Sequence, residues 1–227
     1  MSSASEGAPL GVAGPGNYPP VDRETPEARM ARGARALTVS SRLLAGASTF
    51  FFLSFFFAYF YLRSINVDHM WRPPHVKPEQ GLGAAFIICI ILSALLTIVS
   101  GQRAKKGSRS WLGLAAGAVA LGLAAIVLQC IEYIKQPFGP TNGAFASVFV
   151  AWTGFYLIAV LATMYWLETQ VATEIVERRR QETHHIDPAT GYENPDELLP
   201  RGLDAVVFYW AYLAGLGVLM YVILYLL

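Results

Sequence analysis

The sequence predicts an all-α integral membrane protein of five transmembrane helices, N-terminus cytoplasmic and C-terminus outside. Three observations lead there. Of 227 residues, 54% are hydrophobic and only 15% charged, whereas soluble domains carry about a quarter charged residues. Five apolar runs approach the roughly 20 residues that a helix needs to cross a bilayer. Lysine and arginine fall unevenly on the connections between those runs. Helix is the required form, because lipid offers no partner to unpaired backbone groups, and a barrel would show shorter, alternating strands. The formal charge of +1 argues against a nucleic-acid binder, which gathers basic residues on one face.

Residues 1–36 are expected to be a disordered polar tail. Its stretch GAPLGVAGPGNYPP has too little apolar content to bury. The tail shows no apolar core followed by small residues, as a secretory signal would, so insertion is expected to rest on the membrane domain, 37–227. The first span covers about 43–62. Its STFFFLSFFFAYFYLR segment puts Phe and Tyr on every face, and Ser48, Ser54 and Ala58 offer a side for close helix approach. The second span covers about 82–100. The third, about 111–134, places Gly113, Gly117 and Gly122 among alanines, again suited to close packing. The fourth covers about 145–167. Beyond it, ETQVATEIVERRRQETHH continues as a cytoplasmic helical extension until DPATGYENPDELLP breaks it, so 168–204 is extension plus loop. The fifth covers about 205–227.

Thirteen of the basic residues lie on one side: Arg23, Arg29, Arg32, Arg35 and Arg42 in the tail, Arg103, Lys105, Lys106 and Arg109 between spans two and three, and Arg178, Arg179, Arg180 and Arg201 between four and five. Arg63, Arg72, Lys77 and Lys135 lie on the other. The richer side is cytoplasmic by the positive-inside rule.

Candidate chemistry is sparse. An ionisable group inside a span is a functional-site hypothesis by default, and Glu132 in LQCIEYIKQPFG fits that description. It is either an interfacial carboxylate reaching water near Gln129 or a buried carboxyl bonded to a neighbouring helix. Spacing alone favours the first. His184 and His185 are adjacent, point apart on a helix and read as solvated surface. Cys89 and Cys130 read as small buried hydrophobes. Trp71, Trp111, Trp152, Trp166 and Trp210 fall mostly near span ends, which suits an interfacial aromatic belt. No helix carries two histidines at ligand spacing, so no haem, copper or other metal is expected on this chain. Nor does a nucleophile sit beside a base, or a phosphate-binding loop occur.

Several local patterns, in order, resemble subunit III of the haem-copper terminal oxidases of the cytochrome c oxidase type, in the bacterial five-helix form that lacks two N-terminal helices. ASTFFFLSFFFAYFYLR is similar to that family's A-S-E-x-x-F-F…A-Y-x-Y-L-R. WRPP at Trp71–Pro74 is similar to W-P-P with one extra residue. LQCIEYIKQPF is similar to L-Q-x-x-E-Y…P-F, GAFASVFVAWTGFYLIAV to G-x-Y-G-S-x-F-F…T-G-F-H-G-L-H-V, and FYW to the start of Y-W-H-F-V-D. The likeness runs from about Ala45 to Leu227. This chain departs at the family's helix-one glutamate (Thr49), at two helix-four histidines (Tyr156 and Ala159) and at the last helix's His and Asp (Ala211 and Ala214). Losing such groups together is physically reasonable, since a half-satisfied buried network is worse than an apolar one.

The resemblance implies a non-catalytic accessory subunit of a proton-pumping oxidase in a bacterial cytoplasmic membrane. It would pack beside subunits I and II, which would hold haem and copper, and would bind structural phospholipid. Arg63 and Trp71 are its candidate lipid contacts. An arginine there can grip phosphate with two parallel hydrogen bonds or simply snorkel to the interface. Thr153, with Gly154, is expected at a helix contact, and Glu132 and Tyr156 are expected to meet across helices three and four. Two alternatives remain: an adaptor in a larger respiratory assembly or quinol oxidase, and a small transporter, which would need repeats or broken helices with midplane polar groups.

Overall fold

The computed structural model describes residues 26–66, 71–106, 108, 110–183 and 198–227. Five helices follow one another: α1 (Pro26–Ser64), α2 (Gln80–Lys105), α3 (Trp111–Lys135), α4 (Ala144–Thr183) and α5 (Leu198–Tyr221), after which Val222–Leu226 winds on as a π-helical turn. Each contains a stretch long and apolar enough to cross a membrane: Arg35–Ser64, Gln80–Lys105, Trp111–Lys135, Ala144–Thr173 and Leu203–Leu226.

The first helix corrects the expected tail boundary. It starts at Pro26, so residues 26–36 are helical, while 1–25 lie outside the described residues. Proline suits a first helical position, where its missing N–H costs nothing, and the following EARMARGARAL is rich in strong helix formers. Low apolar content alone had placed that stretch in the tail. The extension beyond span four is present: α4 runs unbroken to Thr183. His184 and His185 lie outside the described residues. At 1.5 Å per residue, α1 with 39 residues and α4 with 40 each reach about 60 Å, roughly twice the hydrocarbon thickness. Since the spans alternate in direction, the start of α1 and the end of α4 project on the same side.

Helix α5 packs against α1, α2 and α4, and α3 lies against α2 and α4. The buried face of α2 includes Phe86, Ile90, Ser93, Thr97 and Ser100, at the three-and-four spacing of one helix side. Its small hydroxyls tie helices together. Ser93 Oγ donates to the Ala118 carbonyl at 2.6 Å, and Ser100 Oγ to the Trp111 carbonyl at 2.9 Å. The indole of Trp210 on α5 donates to Ser93 Oγ at 3.1 Å. Without water, such links and close packing are what hold helices together in lipid.

On α1 the contact side is built from small and aromatic residues together, Ser41 and Ala45 with Phe52 and Tyr59. Of the three expected there, Ser48 bonds the Tyr209 hydroxyl at 2.8 Å and Ala58 packs against the core. Ser54 faces outward and donates to its own helix at the Phe51 carbonyl. On α3, Gly122 is the close approach: a Cβ there would strike the Met164 sulfur, while one at Gly113 would meet nothing. Trp71, Trp111, Trp152 and Trp210 are buried, so they fill the bundle rather than form a belt. Cys130 is exposed on the bundle's outer surface and Cys89 is partly covered.

Candidate functional site

The end of α3 carries the most concentrated polar chemistry within the spans. Glu132 is 1% exposed, so the buried alternative holds and the interfacial one does not. Gln129, one turn earlier, donates from Nε2 to Glu132 Oε2 at 3.0 Å, and the Tyr225 hydroxyl donates to Oε1 at 2.7 Å. Both partners donate, so each carboxyl oxygen has a proton to accept. Gln129 Oε1 is buried with no protein partner.

Tyr225 sits in the π-helical turn. Its ring lies 4.9 Å from that of Tyr221 and 5.4 Å from that of Phe149 on α4. Gly83 on α2 makes room for it, since a Cβ at that position would overlap the Tyr225 ring. Gln80 Nε2 donates to the Tyr225 carbonyl at 3.0 Å. The turn is therefore pinned to α2 and α3 and packed against α4.

The expected Glu132–Tyr156 contact does not form. Tyr156 is fully buried and donates to the Leu213 carbonyl of α5 at 2.8 Å. Its ring is edge-on to Phe52 of α1 and Phe86 of α2. Gly217 admits the hydroxyl, because a Cβ there would collide with it. The two residues thus serve different helix junctions. Thr153 does join α3 to α4: its hydroxyl donates to the Phe149 carbonyl at 2.6 Å and accepts from Tyr133 at 2.7 Å. Gly154 leaves space beside the same tyrosine oxygen. A plain apolar filler could not make this link. The position corresponding to the family's helix-one glutamate, Thr49, bonds the Tyr212 hydroxyl at 2.9 Å, another α1–α5 tie.

The expected lipid contacts lie near the start of the α1–α2 connection. Arg63 is exposed and reaches Tyr59, donating to its hydroxyl at 3.3 Å with the guanidinium 5.9 Å from the ring centre. Trp71 is no surface contact: it is buried edge-on between Tyr59 and Phe145, and its carbonyl accepts the Phe145 N–H at 3.1 Å, at the start of α4. The neighbouring Arg72 lies over the Phe145 ring at 4.5 Å and donates from Nε to the Val76 carbonyl at 3.0 Å. Burial lowers the pKa of the Arg72 guanidinium; Tyr59 opposes this and the Arg63 charge adds to it.

A groove of about 430 Å³ opens between α1, α4 and α5, lined by residues that include Thr49, Phe52, Phe56, Trp152, Tyr212 and Leu216. Tyr225, Tyr212 and Arg72 were missed from the sequence. The polar signal at the first was one tyrosine in the aliphatic VILYLL end, which spacing alone could not pair with Glu132.

Among the described residues, no three His, Cys, Asp or Glu side chains gather to hold a metal ion. Fold and site together define a multi-pass helical membrane protein in which Ser93, Ser100, Glu132 and Thr153, all buried, join one helix to another. The family model described as "Cytochrome c oxidase subunit III" matches residues 32–227, and the chain belongs to that family. It is 28% identical over 187 residues to cytochrome c oxidase subunit 3 of Synechocystis sp., covering 80% of this chain and 71% of that one. Against the Latimeria chalumnae protein of the same name, identity is 25% over 203 residues, covering 84% and 69%. Against that of Branchiostoma lanceolatum it is 24% over 185 residues, covering 79% and 64%. The chain spans about two thirds of the length of these relatives.

Proposed function

We propose that this chain is a non-catalytic accessory subunit of a proton-pumping cytochrome c oxidase in a bacterial cytoplasmic membrane, with its N-terminus inside and its C-terminus outside. It packs beside subunits I and II, which hold the haem and copper, stabilises the catalytic subunit and retains structural phospholipid. The observation that carries this reading is the family match across the whole membrane domain. The bonds of Ser93 to Ala118, Trp210 to Ser93 and Tyr225 to Glu132 support a scaffolding role, because each ties one helix to another. The groove between α1, α4 and α5 supports the lipid role, being walled mainly by apolar side chains that an acyl chain can cover. The test is purification of the tagged chain from its native membrane under mild detergent, with haem spectroscopy and identification of the companion polypeptides. Recovery without haem and without partners overturns the reading.

A specific observation favours an adaptor role alongside the first. α1 and α4 project beyond the bilayer on one side, offering helical stems for further respiratory subunits. Removing the α4 extension after Thr173 is expected to leave the oxidase core intact while releasing any such partner.

A further inference from the structure

Glu132 is 1% exposed inside the third span, and an ionised carboxylate there calls for an opposite charge. Among the described residues none faces it. On α3 its titratable neighbours are Tyr133, whose hydroxyl is committed to Thr153, and Lys135, which is exposed. From the start of α2, the charge that bears on it is that of Glu79, of the same sign. α4 brings Phe149 and Thr153, both uncharged. The π-helical turn brings Tyr225, with Tyr221 stacked on it. The Lys105–Asp204 ion pair lies at the opposite end of α2. A lone buried charge is so costly that the group tends to give the charge up instead.

The carboxyl can do so by keeping its proton, and the acceptor that proton needs is at hand. Gln129 Oε1 is buried and has no protein partner. The two ends of an amide have nearly the same shape, so a half-turn brings Oε1 to where Nε2 now stands, 3.0 Å from Glu132 Oε2. The carboxyl O–H then donates to Gln129, and Oε1 of Glu132 goes on accepting from Tyr225 at 2.7 Å. Both carboxyl oxygens are paired and no charge is buried. The phenol that closes this site is carried by the π-helical turn, a rare form that is frequent at functional sites. Gln80 holds that turn by the Tyr225 carbonyl, and Gly83 leaves space for the ring. When the turn lifts, the phenol leaves and water reaches the carboxyl.

We propose that Glu132 is a proton-binding site that latches the π-helical turn, keeping its proton while Tyr225 is seated and releasing it when the turn lifts. On release the carboxyl O–H bond breaks, the proton passes to water and the hydrated carboxylate stays on α3. Tyr225 keeps its own proton. Above the range in which exposed carboxyls ionise, closing the turn takes up one proton, so each pH unit weakens closure about tenfold. Two measurements on the full chain in lipid bilayers test this. Infrared spectroscopy at about pH 8, where exposed carboxyls are ionised, should show the C=O stretch of a protonated carboxyl. That band should shift on carbon-13 glutamate labelling of the native protein and vanish in Glu132→Gln. Hydrogen exchange of the Val222–Leu226 amides reports lifting of the turn. The ratio of native to Glu132→Gln rates cancels the chemistry of exchange itself, and it should rise about tenfold per pH unit between about pH 6 and 8.

Absence of an acid band from the native protein overturns the proposal in favour of an ionised carboxylate paired with a cation from outside the described residues. A band that survives in Glu132→Gln belongs to another carboxyl and overturns it as well. A glutamate band with an exchange ratio flat in pH overturns the latch. Should Glu132→Gln fail to fold, the labelled native protein still decides the first point. Its own turn amides, referred to the amides of the buried α2 face, decide the second.

Discussion

The indole of Trp210 donates to Ser93 Oγ, and the same oxygen donates onward to the Ala118 carbonyl, so one hydroxyl joins α5, α2 and α3. Ser93→Ala leaves a buried indole N–H without an acceptor. The expected cost is about 1–2 kcal/mol, between the averages for membrane hydrogen bonds and for buried orphaned groups. A double-mutant cycle with Trp210→Phe in detergent melts should show strong coupling; additive losses would mean the bond contributes nothing.

Glu132 accepts from both Tyr225 and Gln129. Glu132→Gln should be tolerated within about 1 kcal/mol, because the Gln129 amide can turn its spare Oε1 toward the new NH₂ group. Glu132→Leu should cost more, about 1–3 kcal/mol, since two buried donors lose their acceptor. Equal melting temperatures for the two variants would show that the carboxyl position is not a tie.

Gly217 faces the Tyr156 hydroxyl with no room for a Cβ. Gly217→Ala should destabilise by about 1–3 kcal/mol through overpacking, and Tyr156→Phe by about 1 kcal/mol through the lost bond to Leu213. The double variant should melt above the additive expectation, because removing the hydroxyl relieves part of the clash. Strict additivity would contradict this geometry.

Lys105 and Asp204 join the ends of α2 and α5 at 2.9 Å, with side chains 56% and 39% exposed. Exposed pairs contribute about 0–1 kcal/mol at most. Lys105→Ala should leave the melting temperature within error, and a drop matching the buried variants above would overturn this ranking.

The five spans were legible because continuous apolar runs have one stable form in lipid. Which side of each helix faces a neighbour was far less so. In α1 every face is apolar, so Phe52 and Tyr59, which pack inward, carry the same signal as Phe50 and Phe57, which face out. The Thr153 link was legible from one hydroxyl beside a glycine. Tyr225 was not, since its partner lies on a helix far away in sequence and the π turn that aims it leaves no compositional mark. Tyr156 was placed on the wrong junction because spacing says which helix a residue is on, not which groove receives it. The tail boundary failed for another reason: helix propensity can order a stretch that hydropathy alone leaves unassigned.

Glu132 and its phenol donor are 93 positions apart, and that separation has a clock attached. At ordinary synthesis speeds the ribosome needs roughly 5–20 seconds to travel it. Throughout that interval the carboxyl must be sheltered by Gln129, water or the insertion machinery. The turn that brings the phenol is made long after the carboxyl it serves, so a chain stalled or clipped before Tyr225 would present a carboxyl short of one donor to the cell's quality control.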